Sequence, residues 1–144
     1  MVIHIVKKIA VVVFFLVLFT NQFVFAAKDE YFSSNNHKYF INAQEFYKIS
    51  GYKEVSKSEI SVRKLILAKD LPSVTSQMKW NSEKERQAKI SEIKDHLIYL
   101  DPQRQVYYFF SKKGDQKQGI TKYAVFDAET KKLLTIVKMT AESY

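Results

Sequence analysis

The chain has no cysteine, and only three glycines and two prolines interrupt its 144 residues. Without cysteine there is no disulfide, no thiol nucleophile, no thiolate metal ligand and no lipid-modified cysteine at a processing site. So little glycine and proline excludes a loop-built or low-complexity chain. Arginine is scarce as well: Arg63, Arg86 and Arg104 are the only ones among 23 basic residues. Readers of phosphate and nucleic acid lean on the guanidinium fork, so nucleic acid is a poor partner for this chain. Its three glycines form no Gly-x-Ser-x-Gly turn, which removes the nucleophile elbow of one large hydrolase class.

What is present begins with an export pattern. Met1 to Lys8 is a short basic segment, and Ile9 to Phe19 is an uncharged apolar run. Thr20, Asn21 and Gln22 break that run, and Val24-Phe25-Ala26 offers small residues where a signal peptidase inspects them. Residues 1 to 26 therefore read as a cleavable signal peptide, with residues 27 to 144 as one exported domain, periplasmic or secreted. The alternative is an anchor, because Ile9 to Ala27 is long enough for a span of about 17–25 residues. In either case Lys7 and Lys8 hold the N-terminus on the cytoplasmic side. Losing them from the 23 basic residues leaves 21 against 15 acids, a formal charge of +6.

The exported part has the length of one domain and must be held by an apolar core. Its patterning predicts an α+β fold, an antiparallel β-meander packed against one main helix. Ala27 to Lys38 is polar and reads as a loose entry arm. Asn42 to Gly51 reads as a short helix, with Asn42 as its cap and Gly51 as its stop. Ser58 to Ala68 alternates like a strand. Asp70-Leu-Pro-Ser reads as a turn, and Ser73 to Trp80 as one or two helical turns. Ser82-Glu-Lys-Glu85 is a capping box that opens the main helix, Ser82 to Leu100, with Ile90, Ile93, Leu97 and Leu100 on one face. Asp101-Pro102 closes it. Gln103 to Ser111, Ile120 to Asp127 and Lys132 to Met139 read as three strands, joined by the polar loop 112–119 and by the turn Asp127 to Lys131.

A capped helix, a strand, a polar hairpin, a strand ending in Asp127-Ala-Glu-Thr130 and a last strand opening Leu133-Leu134 resemble the PepSY domain. The resemblance covers about Ser82 to Met139. In the family the turn commonly runs Asp-x-x-Thr-Gly, and here Lys131 stands in the glycine's place. The family occurs in the propeptides of some secreted metallopeptidases and in small exported proteins. The resemblance implies a role in inhibiting or restraining a peptidase.

The chemistry-bearing residues point away from catalysis. Glu92 and His96 share a helical face, with Asp95 between them, but a third metal ligand would have to come from His37 or a distant acid. Glu83 and Glu85 suit the first turn of a helix, where the dipole favours them. Neither a metal nor a cofactor is expected.

Binding is better supported. Tyr107, Tyr108, Phe109 and Phe110 are consecutive, so alternation sends two rings to each face of the sheet. One pair enters the core beneath the helix. The other is covered by residues 39 to 80, by a second copy or by a partner, with Tyr123 and Val125 extending the patch. Coverage by the chain's own residues is the plainer outcome. If a partner covers the rings, the binding face is Tyr107, Tyr108, Phe109, Phe110 and Tyr123 with Lys112, Lys113 and Lys117. Lys122, Lys131, Lys132 and Lys138 add to a positive edge that suits an anionic surface, and lysines on an edge equally discourage aggregation.

The expected function is thus a small exported, non-catalytic binding module. It acts on another envelope or secreted protein as inhibitor, immunity or accessory protein. Two alternatives stand beside it: a membrane-anchored accessory subunit that keeps residues 9–27, and a small exported enzyme whose site is scattered.

Overall fold

The computed structural model describes residues 31–115 and 118–140, apart from the side chain of His96. The expectations for residues 1 to 26, for Lys117 and for the His96 side chain lie outside the described residues.

Helix α1 (Ala43–Ile49) starts where Asn42 accepts a hydrogen bond from the Glu45 N–H at 3.0 Å. Past its end, Gly51 turns the chain out with φ +72°. Strand β1 (Ile60–Leu67) follows, and then α2 (Leu71–Ser76), with Pro72 in its first turn, where no intrahelical N–H is needed. The stretch expected to be a turn is thus the start of α2. Helix α3 (Glu83–Leu97) and strands β2 (Gln105–Lys113), β3 (Ile120–Asp127) and β4 (Leu133–Thr140) complete the chain. The strands form one antiparallel sheet in the order β1-β2-β3-β4, so the fold is α+β as expected.

Both faces of the sheet are covered. On one face Tyr108, Phe110, Tyr123 and Val125 pack with Trp80, Leu71, Ile93 and Leu100 from α2, α3 and their flanks. On the other, Tyr107, Phe109, Ala124 and Phe126 pack with Ala43, Phe46 and Tyr52 from α1 and the segment after it. The Phe46 ring stacks on Tyr107 at 4.1 Å, and Trp80 meets Phe110 edge-on at 5.2 Å. Two of the buried polar ends are bonded: Tyr107 OH donates to the Ile41 carbonyl at 2.8 Å, and Trp80 Nε1 to that of Thr75 at 2.7 Å.

Three local expectations are corrected. The entry arm is pinned from Tyr31 onward: Phe32 bridges Leu100, and fully buried Asn35 accepts from the Gln105 N–H at 2.6 Å. The capping box closes on one side only. The Ser82 hydroxyl accepts from the Glu85 N–H at 3.1 Å, but the Glu85 carboxylate reaches back to the Asn81 N–H at 3.0 Å. The main helix also stops at Leu97, because Tyr99 and Asp101 turn their backbone groups to Phe32, at 2.8 Å each.

The turn after β3 is built on Asp127, whose Oδ1 accepts from the Thr130 N–H at 2.6 Å and the Thr130 hydroxyl at 2.8 Å. It ends on Lys131 at φ +62°, the left-handed conformation that favours glycine. The Lys131 ammonium lies about 5 Å from the Tyr107 and Phe46 rings, a contact that glycine would lack.

Candidate functional site: a lysine groove at the hairpin end

Where β2 turns into β3, the sheet face covered by α1 runs out from under that seven-residue helix. The segment after α1 folds over the gap. Its Val55 N–H bonds the Ser111 hydroxyl at 3.0 Å, and its Glu59 N–H bonds the Lys112 carbonyl at 2.8 Å. A groove of about 330 Å³ remains, lined by Glu54, Val55, Ser56, Lys113, Ile120, Lys122 and Lys138.

Three of the seven lining side chains are lysines, and the register explains their meeting. Lys122 on β3 pairs directly with Lys138 on β4, and Lys113 on β2 pairs with Ile120, two residues before Lys122. Like charges directly opposite on a sheet destabilise it. Burial, and then the Lys138 charge, push the Lys122 ammonium below the ordinary lysine value. Lys122 is held in place by a hydrogen bond to the Lys53 carbonyl and by the Tyr52 ring, whose centroid is 4.6 Å away.

The one acid in the lining does not offset these charges. Glu54 is clamped by Arg63, with Nε and Nη2 each 2.8 Å from a carboxylate oxygen, and the Ser61 hydroxyl donates to it at 2.7 Å. Burial alone would raise its carboxyl, but the Arg63 and Ser61 bonds outweigh it and hold the group below the ordinary value. Arg63 in turn stacks 3.6 Å from the Tyr47 ring centroid. The groove therefore presents cationic ends beside the apolar walls of Val55 and Ile120. It can take an anionic group carried on an apolar or extended segment.

The residues expected to bind are placed elsewhere. Tyr107, Tyr108, Phe109, Phe110 and Tyr123 are all at 0% exposure, so the expected aromatic binding face is corrected: α1 covers one pair, and α2 with α3 covers the other. Lys112 is also buried, at 2%, and lies on the α3 face opposite Thr121. Burial lowers its pKa, against the pull of Glu85. Lys113, the remaining described lysine of that set, is exposed and lines the groove. Of the proposed metal pair, Glu92 accepts from Tyr123 OH at 3.1 Å and from Lys89 at 2.6 Å. Among the described residues no three His, Cys, Asp or Glu side chains cluster as metal ligands.

Compared with protein-family models, with curated proteins and with solved structures, the chain finds no match in any of the three. The groove is therefore read on its own chemistry. Val55 and Ser56 went unrecognised in the sequence because no pattern there announces that a loop will fold back over a hairpin 56 residues away. Lys122 and Lys138 carried a signal, as lysines on alternating strands, but their pairing depends on the register.

Proposed function

We propose that this chain is a small exported binding module that acts on another envelope or secreted protein, and that it engages an acidic surface of that protein through the lysine groove. The observation that carries the reading is the direct pairing of Lys122 with Lys138 beside Lys113, where the one carboxylate in the lining, Glu54, is already paired with Arg63. A like-charge pair costs stability in the free protein, and an anionic partner relieves that cost. Lysines at the rim of an interface chiefly steer encounter and fix its salt dependence. Export is proposed from the pattern of residues 1 to 26; among the described residues no helix is long and apolar enough to cross a membrane. The resemblance to PepSY domains makes an exported peptidase the first class of partner to try.

The test is a photo-crosslinking amino acid at exposed Ser56 in the full chain, expressed in its own cell. The expected result is an adduct with one exported or envelope protein, lost when Lys113, Lys122 and Lys138 are replaced by serine and weakened by added salt. Adducts of equal yield from a control position at Gln87 on α3 would refute the reading.

A further inference from the structure

Resting on that reading, we propose that the outer edge of β4 takes an extended acidic segment of the partner as a fifth strand, with a carboxylate of that segment landing on Lys138 and Lys122. The sheet ends at β4 among the described residues, and the two edges of the sheet differ sharply. Edge strand β1 carries Arg63 and Lys64 at its centre, the kind of charge that keeps an edge from pairing. β4 runs Leu-Leu-Thr-Ile-Val-Lys-Met-Thr, and only its Thr135 is buried. Leu133 and Ile136 stand 46% and 43% exposed on the face shared with the groove. Val137 and Met139 are half-covered on the α3 face. An eight-residue apolar edge with one lysine near its end is an aggregation hazard unless something pairs with it.

Charge selects the occupant. From Lys131 to Thr140 the chain has three lysines and no acid, and Lys113 and Lys122 lie alongside. A second copy of β4 would add further lysine and no carboxylate to this edge, so an acidic segment is the complement. Strand geometry then specifies its pattern. A strand added antiparallel to β4 lies about 4.8 Å away and points alternate residues to one face. The residue opposite Lys138 meets ammonium groups, and the residue two further on meets Ile136. Those on the other face meet Val137 and Met139. The segment recognised is therefore mainly apolar and β-forming, with one or two carboxylates at the end nearest the hairpin. Main-chain bonds to the edge would supply affinity and the alternate side chains specificity.

The probe is the peptide acetyl-Glu-Val-Glu-Val-Ile-Thr-Val-amide, labelled for fluorescence anisotropy, with two forms N-methylated at alternate residues. One set of N–H groups faces β4 and the other faces solvent. One methylated form should lose binding at least tenfold while the other keeps it, and Lys122→Ser/Lys138→Ser should weaken the parent peptide at least tenfold. Amide exchange in β4 should slow when the peptide binds. Equal binding by both methylated forms would overturn strand addition and leave a simple anion site, as would equal lysine-dependent binding to phosphatidylglycerol vesicles. Dimers of the chain alone in sedimentation, broken by Ile136→Lys, would assign the edge to a second copy. If Ser56 cross-links to a partner while no peptide binds, the binding module stands and strand addition fails; if neither occurs, both fail.

Discussion

Replacing Arg104 tests whether the meander's last turn is held by a buried ion pair or only by its own hydrogen bonds. Arg104 is 4% exposed and Asp127 is fully buried. The guanidinium donates to the two carboxylate oxygens at 2.6 and 2.9 Å, to the Ser33 carbonyl at 2.7 Å, and lies 3.0 Å from Glu129. It thus joins the entry arm, the start of β2 and the end of β3. Arg104→Ala leaves the Asp127 charge buried without its partner, a loss of about 3–5 kcal/mol. A domain of this size has a total stability of about 5–15 kcal/mol, so the variant should sit close to unfolding. Arg104→Ala combined with Asp127→Asn removes both charges and should lose clearly less than the two single changes added together. Urea unfolding of the four proteins closes the cycle. Burial alone would raise the Asp127 carboxyl, but Arg104 and Thr130 outweigh it and hold it below its ordinary value of 3.8. The stabilisation is therefore present above that pH and is lost as pH falls through the depressed value. The Asp127→Asn protein should have the flatter acid limb. An Arg104→Ala protein that loses less than about 1 kcal/mol, or single losses that simply add, would refute the ion pair as the clasp.

Phe109→Ala and Phe110→Ala, from opposite faces of β2, should each cost about 3–5 kcal/mol in denaturant unfolding, since both rings are buried; a stable Phe109→Ala protein would mean that α1 does not cover that face. Lys138→Ala should stabilise the chain by about 0.2–1 kcal/mol at low salt, because it relieves Lys122, and the gain should fade at high salt; no gain at low salt would contradict the repulsion. Burial raises the phenols of Tyr108, Tyr52 and Tyr123 above their ordinary value of 10.0. The stability they contribute is full below that pH and is lost as pH rises through the raised values. Absorbance at 295 nm should show these phenols ionising together with the loss of structure, and their ionisation in a folded chain would refute their burial.

Local rules in the sequence determined most of the elements. Asn42 as cap, Gly51 as stop, Ser82 before the acidic first turn of α3 and the bounds of β3 all depend on neighbours a few residues apart. A single sequence carries such relations directly. The consecutive aromatics also required two covered faces, since alternation leaves no other course. What covers each face was decided by tertiary structure, because α1 and α3 reach the sheet from distant parts of the chain. Those same packings buried Lys112, Tyr107 and Phe109, which the run of aromatics and the hairpin lysines had offered as binding groups. The groove depends on a still finer matter. The pairing of β3 with β4 shifts between Val125 and Phe126. Without that shift, the Phe126–Leu133 register would set Lys122 opposite Val137 and turn Lys138 to the α3 face. A one-residue slip moves every side chain of a strand to the other side. Twenty lysines are legible in the sequence, but the meeting of Lys113, Lys122 and Lys138 in one groove follows from a bulge that only the assembled sheet reveals.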